Sequence, residues 1–192
     1  MAFDVMSNTS DEELLALYAN GDQAAARALM LRHAPRVLSL ARRLLTDPAE
    51  AEDVTQEAML RLWKIAPNWR TGEAKVSTWL YRVGSNLCTD RLRKKRGLGL
   101  DEATEIQDEA PNVEDQMIAA DRGRALREAM DRLPDRQKLA LTLRHFEERS
   151  NPEIAEVLGT SIEAVESLLS RARRALAADL SSNRTALGLT MD

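Results

Sequence analysis

Apolar residues in this chain recur at spacings of three and four, and nowhere do they alternate with period two over a useful length. Val37, Leu40, Ala41, Leu44 and Leu45 fall at i, i+3, i+4, i+7 and i+8, which lines one face of an α-helix and neither face of a strand. Val54, Ala58, Leu62 and Ile65 repeat the pattern, as do Leu126, Ala129, Met130 and Leu133, and then Leu139, Leu143 and Phe146. A chain so patterned folds as all-α. Aromatic residues make up only 4% of it, and there are eight Gly and six Pro. A sandwich or barrel needs more β-formers and more turn residues than that.

Several function classes fall away on the same grounds. No apolar run approaches the length that spans a bilayer, so no membrane insertion is expected. Residues 1–10 hold no basic residue and no apolar core, so a secretory leader is not expected. Cys88 is the only cysteine. It cannot form an internal disulfide and reads as a small buried apolar group in a reducing cytoplasm. Two histidines and one cysteine are too few for a structural zinc site, and neither metal nor cofactor is expected. No nucleophile–base pair or phosphate loop stands out, so neither an enzyme nor a small-molecule substrate is expected.

Punctuation residues divide the chain. Ser10-Asp11-Glu12-Glu13 is a capping box opening a short helix, which Asn20-Gly21-Asp22 ends. A long helix is predicted from about 22 to 45. Asp47 and Pro48 suit the cap and first position of the next, over 48 to about 65, which Pro67 stops. The loop Asn68–Glu73 leads to a helix from about 75 to 96. These make a first all-helical domain over 10–97. Residues 98–118 read as a flexible acidic linker and 119–180 as a second small helical domain. There Pro134 ends the first helix and Asn151-Pro152 reads as a cap with Pro at the first helical position. Residues 181–192 read as a tail.

The net charge of −4 conceals a strong segregation. Residues 91–96 place five cations in six positions, whereas residues 101–121 carry eight carboxylates and no cation. Arg171, Arg173 and Arg174 form a second basic cluster. Two basic patches joined by an acidic strap suggest two polyanion contacts. Arginines that complement a helix C-terminus explain the second cluster nearly as well. They do not explain the first, where crowded cations repel one another.

The segment Asn151–Ser170 is the most specific local signal. With Asn151 as position one, Ala155 falls at five, Gly159 at nine and Val165 at fifteen. A small residue lets two helices cross closely, glycine takes the left-handed turn, and an aliphatic residue fills the angle between them: the steric skeleton of a helix-turn-helix. Ile154, Leu158, Ile162 and Leu169 would supply its core, and Ser161 would cap a second helix aimed at a major groove. Its outward face, with Glu163 and Glu166 among Ser167, Ser170 and Arg171, is weakly basic, so this module alone should bind DNA weakly.

Two further constellations lie in the first domain. Asp53, Gln56, Glu57 and Trp63 share a polar face, which suits a protein interface or a solvated surface beside a core tryptophan. Trp69, Trp79 and Tyr81 interleave with Arg70, Lys75, Arg82, Arg91, Arg93, Lys94, Lys95 and Arg96. Rings that stack bases beside cations that follow a backbone suit single-stranded DNA; core placement of the rings is the alternative for each. Asn86, polar in mid-helix, could read a base or satisfy a backbone group.

Four stretches occur in one order with the linker between them: Asp-Pro-Ala-Glu-Ala-Glu-Asp-Val-Thr-Gln-Glu, Ser-Thr-Trp-Leu-Tyr-Arg-Val-Gly-Ser-Asn-Leu-Cys-Thr-Asp-Arg-Leu-Arg, Leu-Pro-Asp-Arg-Gln and Pro-Glu-Ile-Ala-Glu-Val-Leu-Gly. Over about residues 10–180 the chain resembles the extracytoplasmic-function (group IV) sigma factors of the sigma-70 family. The resemblance implies two helical domains and a promoter-specificity subunit that binds core RNA polymerase and promoter DNA under the control of an anti-sigma factor. Asp53, Gln56, Glu57, Leu60 and Trp63 match the segment that docks on polymerase. Arg70, Lys75 and the helix with Thr78, Trp79, Arg82, Asn86, Arg91, Arg93, Lys94, Lys95 and Arg96 match the region that captures a flipped −10 base and holds the melted strand. Thr160, Ser161, Glu163, Glu166, Ser167, Ser170, Arg171 and Arg174 match the helix that enters the −35 major groove, and the acidic strap matches a segment threading toward the polymerase active-site and RNA-exit path.

The chain departs from the family pattern in two places. Lys75-Val76 stands where relatives often carry a small residue and Phe, and Glu166 and Leu168 stand where many carry Lys or Arg. A promoter sequence therefore does not carry over from a familiar member. The acidic recognition helix leaves room for a competing reading, a sigma-like decoy that sequesters an anti-sigma factor without touching DNA. The intact 91–96 cation run speaks against that.

Overall fold

A computed structural model describes residues 8–97 and 114–182. Among the described residues every regular element is helical, and the chain splits into two compact units.

The first unit is built from four helices: α1 (Asp11–Ala19), α2 (Gln23–Leu44), α3 (Pro48–Ile65) and α4 (Val76–Gly97). The starts of α1, α2 and α3 are each fixed by a cap. Ser10 and Glu13 form the expected reciprocal box, Asp22 Oδ1 accepts from Ala24 and Ala25, and Asp47 Oδ1 accepts from Ala49 ahead of Pro48. Gly21, at φ +96°, makes the reversal between α1 and α2, a conformation open to glycine at little cost. A short 3₁₀ turn, Ala66–Asn68, holds Pro67 and closes α3.

Helix α2 is the spine of this unit, and α1, α3 and α4 all pack on it. Leu14, Leu15, Leu29, Val37, Leu62 and Leu80 are fully or almost fully buried, as is Cys88, which matches the apolar reading of the thiol. Gly84 of α4 faces Val37 and Leu40 of α2. A Cβ there would lie 3.4 Å from Val37 Cγ1 and 3.8 Å from Leu40 Cδ2.

The remaining helices are α5 (Glu114–Asp131), α6 (Asp135–His145), α7 (Asn151–Leu158) and α8 (Ile162–Ser182), with α5 and α6 both packed on α8. Ala129, Met130, Leu133, Leu139, Leu143, Val165, Leu169 and Ala172 are buried. Lys138, only 8% exposed, survives in this setting because its Nζ lies 2.6 Å from Asp131 Oδ1. Arg132 forks onto both carboxylate oxygens of Asp179, tying the end of α5 to α8.

Several expectations need correction. The helix expected from 119 already runs from Glu114. Acidic residues are as much at home in a helical first turn as in a solvated strap, so charge alone misplaced the boundary; residues 98–113 of the expected linker lie outside the described residues. Helix α8 continues to Ser182, two residues into the expected tail, whose remaining residues 183–192 also lie outside. The cap of α7 is Ser150 rather than Asn151: Ser150 N donates to Glu153 Oε2 at 2.9 Å and Glu153 N donates back to Ser150 Oγ. A Ser followed three residues later by Glu satisfies two donors at once, and Asn151 becomes the first helical residue. Ile65, Leu126, Phe146 and Ile162 are 36–41% exposed, because each lies at the edge or end of its apolar stripe.

Candidate functional site

The polar face of α3 is where the sequence placed it. Asp53, Gln56 and Leu60 are exposed and Glu57 is half-buried, at i, i+3, i+4 and i+7 on one side of the helix. They form the ridge between two open grooves. One, of about 400 Å³, is lined by Asp53, Gln56, Glu57 and Leu60 together with Arg61, Leu87 and Arg91. The other, about 310 Å³ and largely apolar, runs between Gln56, Leu60 and Trp63 of α3 and Met30 and Leu38 of α2. Trp63 is half-buried, its ring 4.6 Å from that of Tyr18, so it is both a core contact and a groove wall. Leu60 is 46% exposed and Met30 41%. A ridge of carboxylate, amide and leucine with an apolar groove on one side and an arginine-lined groove on the other is a surface suited to a helical protein partner.

Charge on this face is held in place. The Arg61 guanidinium hydrogen-bonds Glu57 at 2.8 Å, and this bond chiefly keeps the Glu57 carboxyl below the usual carboxylate range, with smaller help from Lys64 and Arg91. Arg61 was not among the sequence candidates, although its i+4 spacing from Glu57 was readable. Met30 and Leu38 were also missed, since nothing in the pattern of α2 says that its second apolar flank stays uncovered.

The aromatic and cationic stretch proves to have two sides. Trp79, Arg82, Asn86 and Arg93 follow one another at helical spacing along α4; Arg82, Asn86 and Arg93 are exposed and Trp79 is half-buried. Trp79 meets Trp69 edge to face, ring centroids 5.9 Å apart, at the end of the loop that carries Arg70 and Lys75. Both loop cations are exposed, Arg70 within 3.2 Å of Glu73. The indole Nε1 of Trp69 is buried with no hydrogen-bond partner. Gly72, at φ +86°, turns this loop, and its N–H reaches Glu12 of α1 at 3.4 Å. Lys94 is exposed, and so is Arg96, whose Nε donates to Leu92 O. Asp90 is exposed on the same stripe as Asn86 and Arg93, a carboxylate that the sequence reading passed over.

The remaining candidates on α4 face elsewhere. Thr78 is 5% exposed and Tyr81 2%, so both belong to the core, and Thr78, expected to contact the strand, is buried away from the surface that a strand would meet. Arg91 lines the α3 groove beside Asp53 and Glu57. Lys95, four residues further on, lies with its Nζ 3.1 Å from Oε2 of Glu50 in the first turn of α3, both side chains about one-third exposed or less. The contact is an ion pair without the alignment of a hydrogen bond. The run of five cations is thus divided by helical geometry. Arg91 and Lys95 turn toward the carboxylates of α3, while Arg93, Lys94 and Arg96 stay open to solvent. A count of charges along the sequence cannot make this distinction, because Glu50 lies forty-five positions away from Lys95.

Helices α7 and α8 flank a turn at Gly159, which has φ +59°, and Thr160 N closes it onto Ala155 O at 3.0 Å. Ala155 is 7% exposed and Val165 fully buried, as the spacing requires. Ser161 Oγ accepts from Ala164 N at 3.2 Å and caps α8. At 100° per residue, Glu163, Ser167, Ser170 and Arg174 run down the side of α8 opposite the buried Val165, Leu169 and Ala172, with Glu166 and Arg171 on its two flanks. Ser161, Glu163, Glu166, Ser170, Arg171 and Arg174 are exposed, Thr160 and Ser167 partly so. Leu168 is half-buried. The Glu163 carboxyl is held below the usual carboxylate range by its own backbone N–H first and by the Ser161 hydroxyl second. Arg171 Nη2 donates to Ser167 Oγ at 2.7 Å.

No helix among the described residues is long and apolar enough to cross a membrane. The chain matches the family descriptions "Sigma-70 region 2" over residues 29–97 and "Sigma-70, region 4" over residues 123–176. It is 34% identical to the ECF RNA polymerase sigma factor SigM of Mycobacterium tuberculosis over 168 residues, covering 88% of this chain and 83% of that one. With SigW of Bacillus subtilis, also an ECF RNA polymerase sigma factor, it shares 29% identity over 81% of this chain and 89% of the other. Among solved structures it is similar to CnrH, determined in complex with the cytosolic domain of CnrY, with a TM-score of 0.70 and 26% identity over 91% of this chain and 99% of that one. The order of the two matched regions, and the all-helical units that carry them, agree with these relatives: the chain belongs to the ECF sigma factors of the sigma-70 family.

Proposed function

We propose that this sigma factor docks on core RNA polymerase through the Asp53–Gln56–Glu57–Leu60 ridge of α3 and its two grooves. On this reading it holds the melted −10 strand on the Trp79–Arg82–Asn86–Arg93 stripe and the Arg70–Lys75 loop, with Lys94 and Arg96 on the backbone. It reads the −35 element with α8, from Thr160 to Arg174. The observation that carries the reading is that a partner-type face, a ring-and-cation face and a helix-turn-helix follow one another in a single chain of this family. Base stacking contributes about 1–3 kcal/mol per base, comparable to the few kcal/mol that unstacking a base costs, so a few ring and cation contacts suffice to hold a short opened segment. The polymerase, rather than this subunit, performs the chemistry, and its action is placed in the cytoplasm where polymerase and promoter meet.

An acidic helix-turn-helix then ceases to be a paradox. Docking on polymerase supplies effective concentration, so the −35 module need not bind DNA strongly by itself. Control by an anti-sigma protein is part of the proposal, in line with the similar CnrH, solved in complex with the cytosolic domain of CnrY. The test is run-off transcription with purified core polymerase on DNA of the source organism, with and without the protein. Discrete new transcripts are expected. Their absence, with the polymerase active on a control factor, would transfer the assignment to a decoy that binds only an anti-sigma factor.

A further inference from the structure

The first three turns of α8 pose a problem of charge. From Ile162 to Ser170 the helix carries two glutamates and no cation, and the arginines begin only at Arg171. If this end of α8 sits in a major groove, as the proposed function holds and as this inference requires, its carboxylates face a phosphate-lined trough that repels them. Two of the four polar side chains there are already engaged. Glu163 is bound by its own N–H and the Ser161 hydroxyl, and Ser167 accepts from Arg171. Glu166 differs: it is exposed and has no hydrogen bond or ion pair among the described residues.

A glutamate carboxylate offers acceptors only, so in a groove it is stabilised where a base presents a donor. Guanine presents two acceptors, and thymine an acceptor beside a methyl group. Adenine presents its N6 donor next to the N7 acceptor, which repels a carboxylate. Cytosine presents the N4 amino donor with no acceptor of its own beside it. We infer that Glu166 is a specificity-determining residue that selects a cytosine at one position of the −35 element, while Arg171 and Arg174 anchor the adjacent phosphates.

The test uses holoenzyme assembled from core polymerase and this protein, challenged with promoter DNA randomised across the −35 element; retained DNA is sequenced. The wild type is expected to enrich cytosine at one position about tenfold or more over the other bases. The same selection with Glu166→Gln is expected to move that one position to adenine, whose N6 and N7 suit a glutamine amide, with the rest of the motif unchanged. A −35 motif that is identical for the wild type and Glu166→Gln would overturn the inference and leave the promoter-reading role standing. No −35 enrichment in either, with polymerase bound, would overturn both.

Discussion

Nε2 of His33 lies 2.8 Å from Oδ2 of Asp11, and the other oxygen of that carboxylate takes the Arg32 guanidinium at 2.5 Å. His33 is 3% exposed, so one carboxylate in the first turn of α1 satisfies a buried imidazole and an arginine of α2 together. Arg32 also donates to Thr9 O at 3.0 Å, which fixes the entry into α1. Burial pushes the Asp11 carboxyl up, but the hydrogen bonds from His33 and Arg32 outweigh it and leave it below its ordinary value of 3.8. A depressed carboxyl stabilises the fold fully above the unfolded value and loses that contribution as pH falls through the folded one.

Replacing Asp11 by Ala is therefore expected to cost about 1–3 kcal/mol near neutrality, the usual loss when buried donors to a charged group are stranded. The difference from wild type should narrow as pH falls below the ordinary carboxyl value of 3.8 and on through the lower folded one, where the wild-type carboxyl also protonates. Urea unfolding across that range measures it. A gap that stays constant with pH would mean the residue acts through capping or helix propensity and not through its charge.

The close approach of α4 to α2 gives a second prediction, with opposite signs for two substitutions. A Cβ at residue 84 meets Val37 at ordinary contact distance, so Gly84→Ala should raise stability by about 0.5–1 kcal/mol through helix propensity. Gly84→Leu drives a side chain into Val37 and Leu40 and should cost about 1–3 kcal/mol. Thermal unfolding of the two variants decides it; a loss with Ala would show that the crossing is tighter than these contacts allow.

How much of this could be read beforehand depends on the range of the interaction. Capping boxes, Pro48 at a helix start and the Ala155–Gly159–Val165 skeleton act over a few residues, and the sequence displays them directly. What it could not display are partners distant in the chain. Lys95 lies among cations in the sequence and beside Glu50 in space. Thr78 looks like any polar residue of a basic helix until its burial is seen. Even a local device can be hidden by a neighbour of better repute: Asn-Pro at 151–152 outshone the Ser150–Glu153 box that caps α7. Glu148, at φ +53°, has no sequence signature, because αL is a conformation that Gly or Asn would announce and Glu does not.

Docking can be tested on α3 without disturbing the core. Asp53 and Gln56 are exposed, and neither takes part in the Tyr18–Trp63 or Leu62 packing. Replacing both by Ala should weaken core-polymerase binding about tenfold or more, as loss of central interface anchors does, while the helical circular dichroism and melting temperature stay as in wild type. Unchanged affinity would remove the ridge from the docking surface.

The division of the 91–96 run makes the sharpest demand on the proposed strand contact. Each cation that neutralises a phosphate of single-stranded DNA contributes about 0.7 to the slope of log affinity against log salt. Arg93 and Lys94, open to solvent, should each lower that slope by roughly this amount when changed to Met, measured for holoenzyme on a pre-opened promoter fragment. Lys95→Met should leave the slope near its wild-type value, because its Nζ is committed to Glu50. Its effect should appear instead as lost stability, since Glu50 is left with a half-buried carboxylate and no cation. Adding Glu50→Gln to Lys95→Met should then restore part of the stability lost, as removal of both partners costs less than removal of one. An equal fall in salt slope for all three cations would mean that Lys95 leaves Glu50 when the strand is bound, and that the pair is a resting contact and not a fixed tie between α3 and α4.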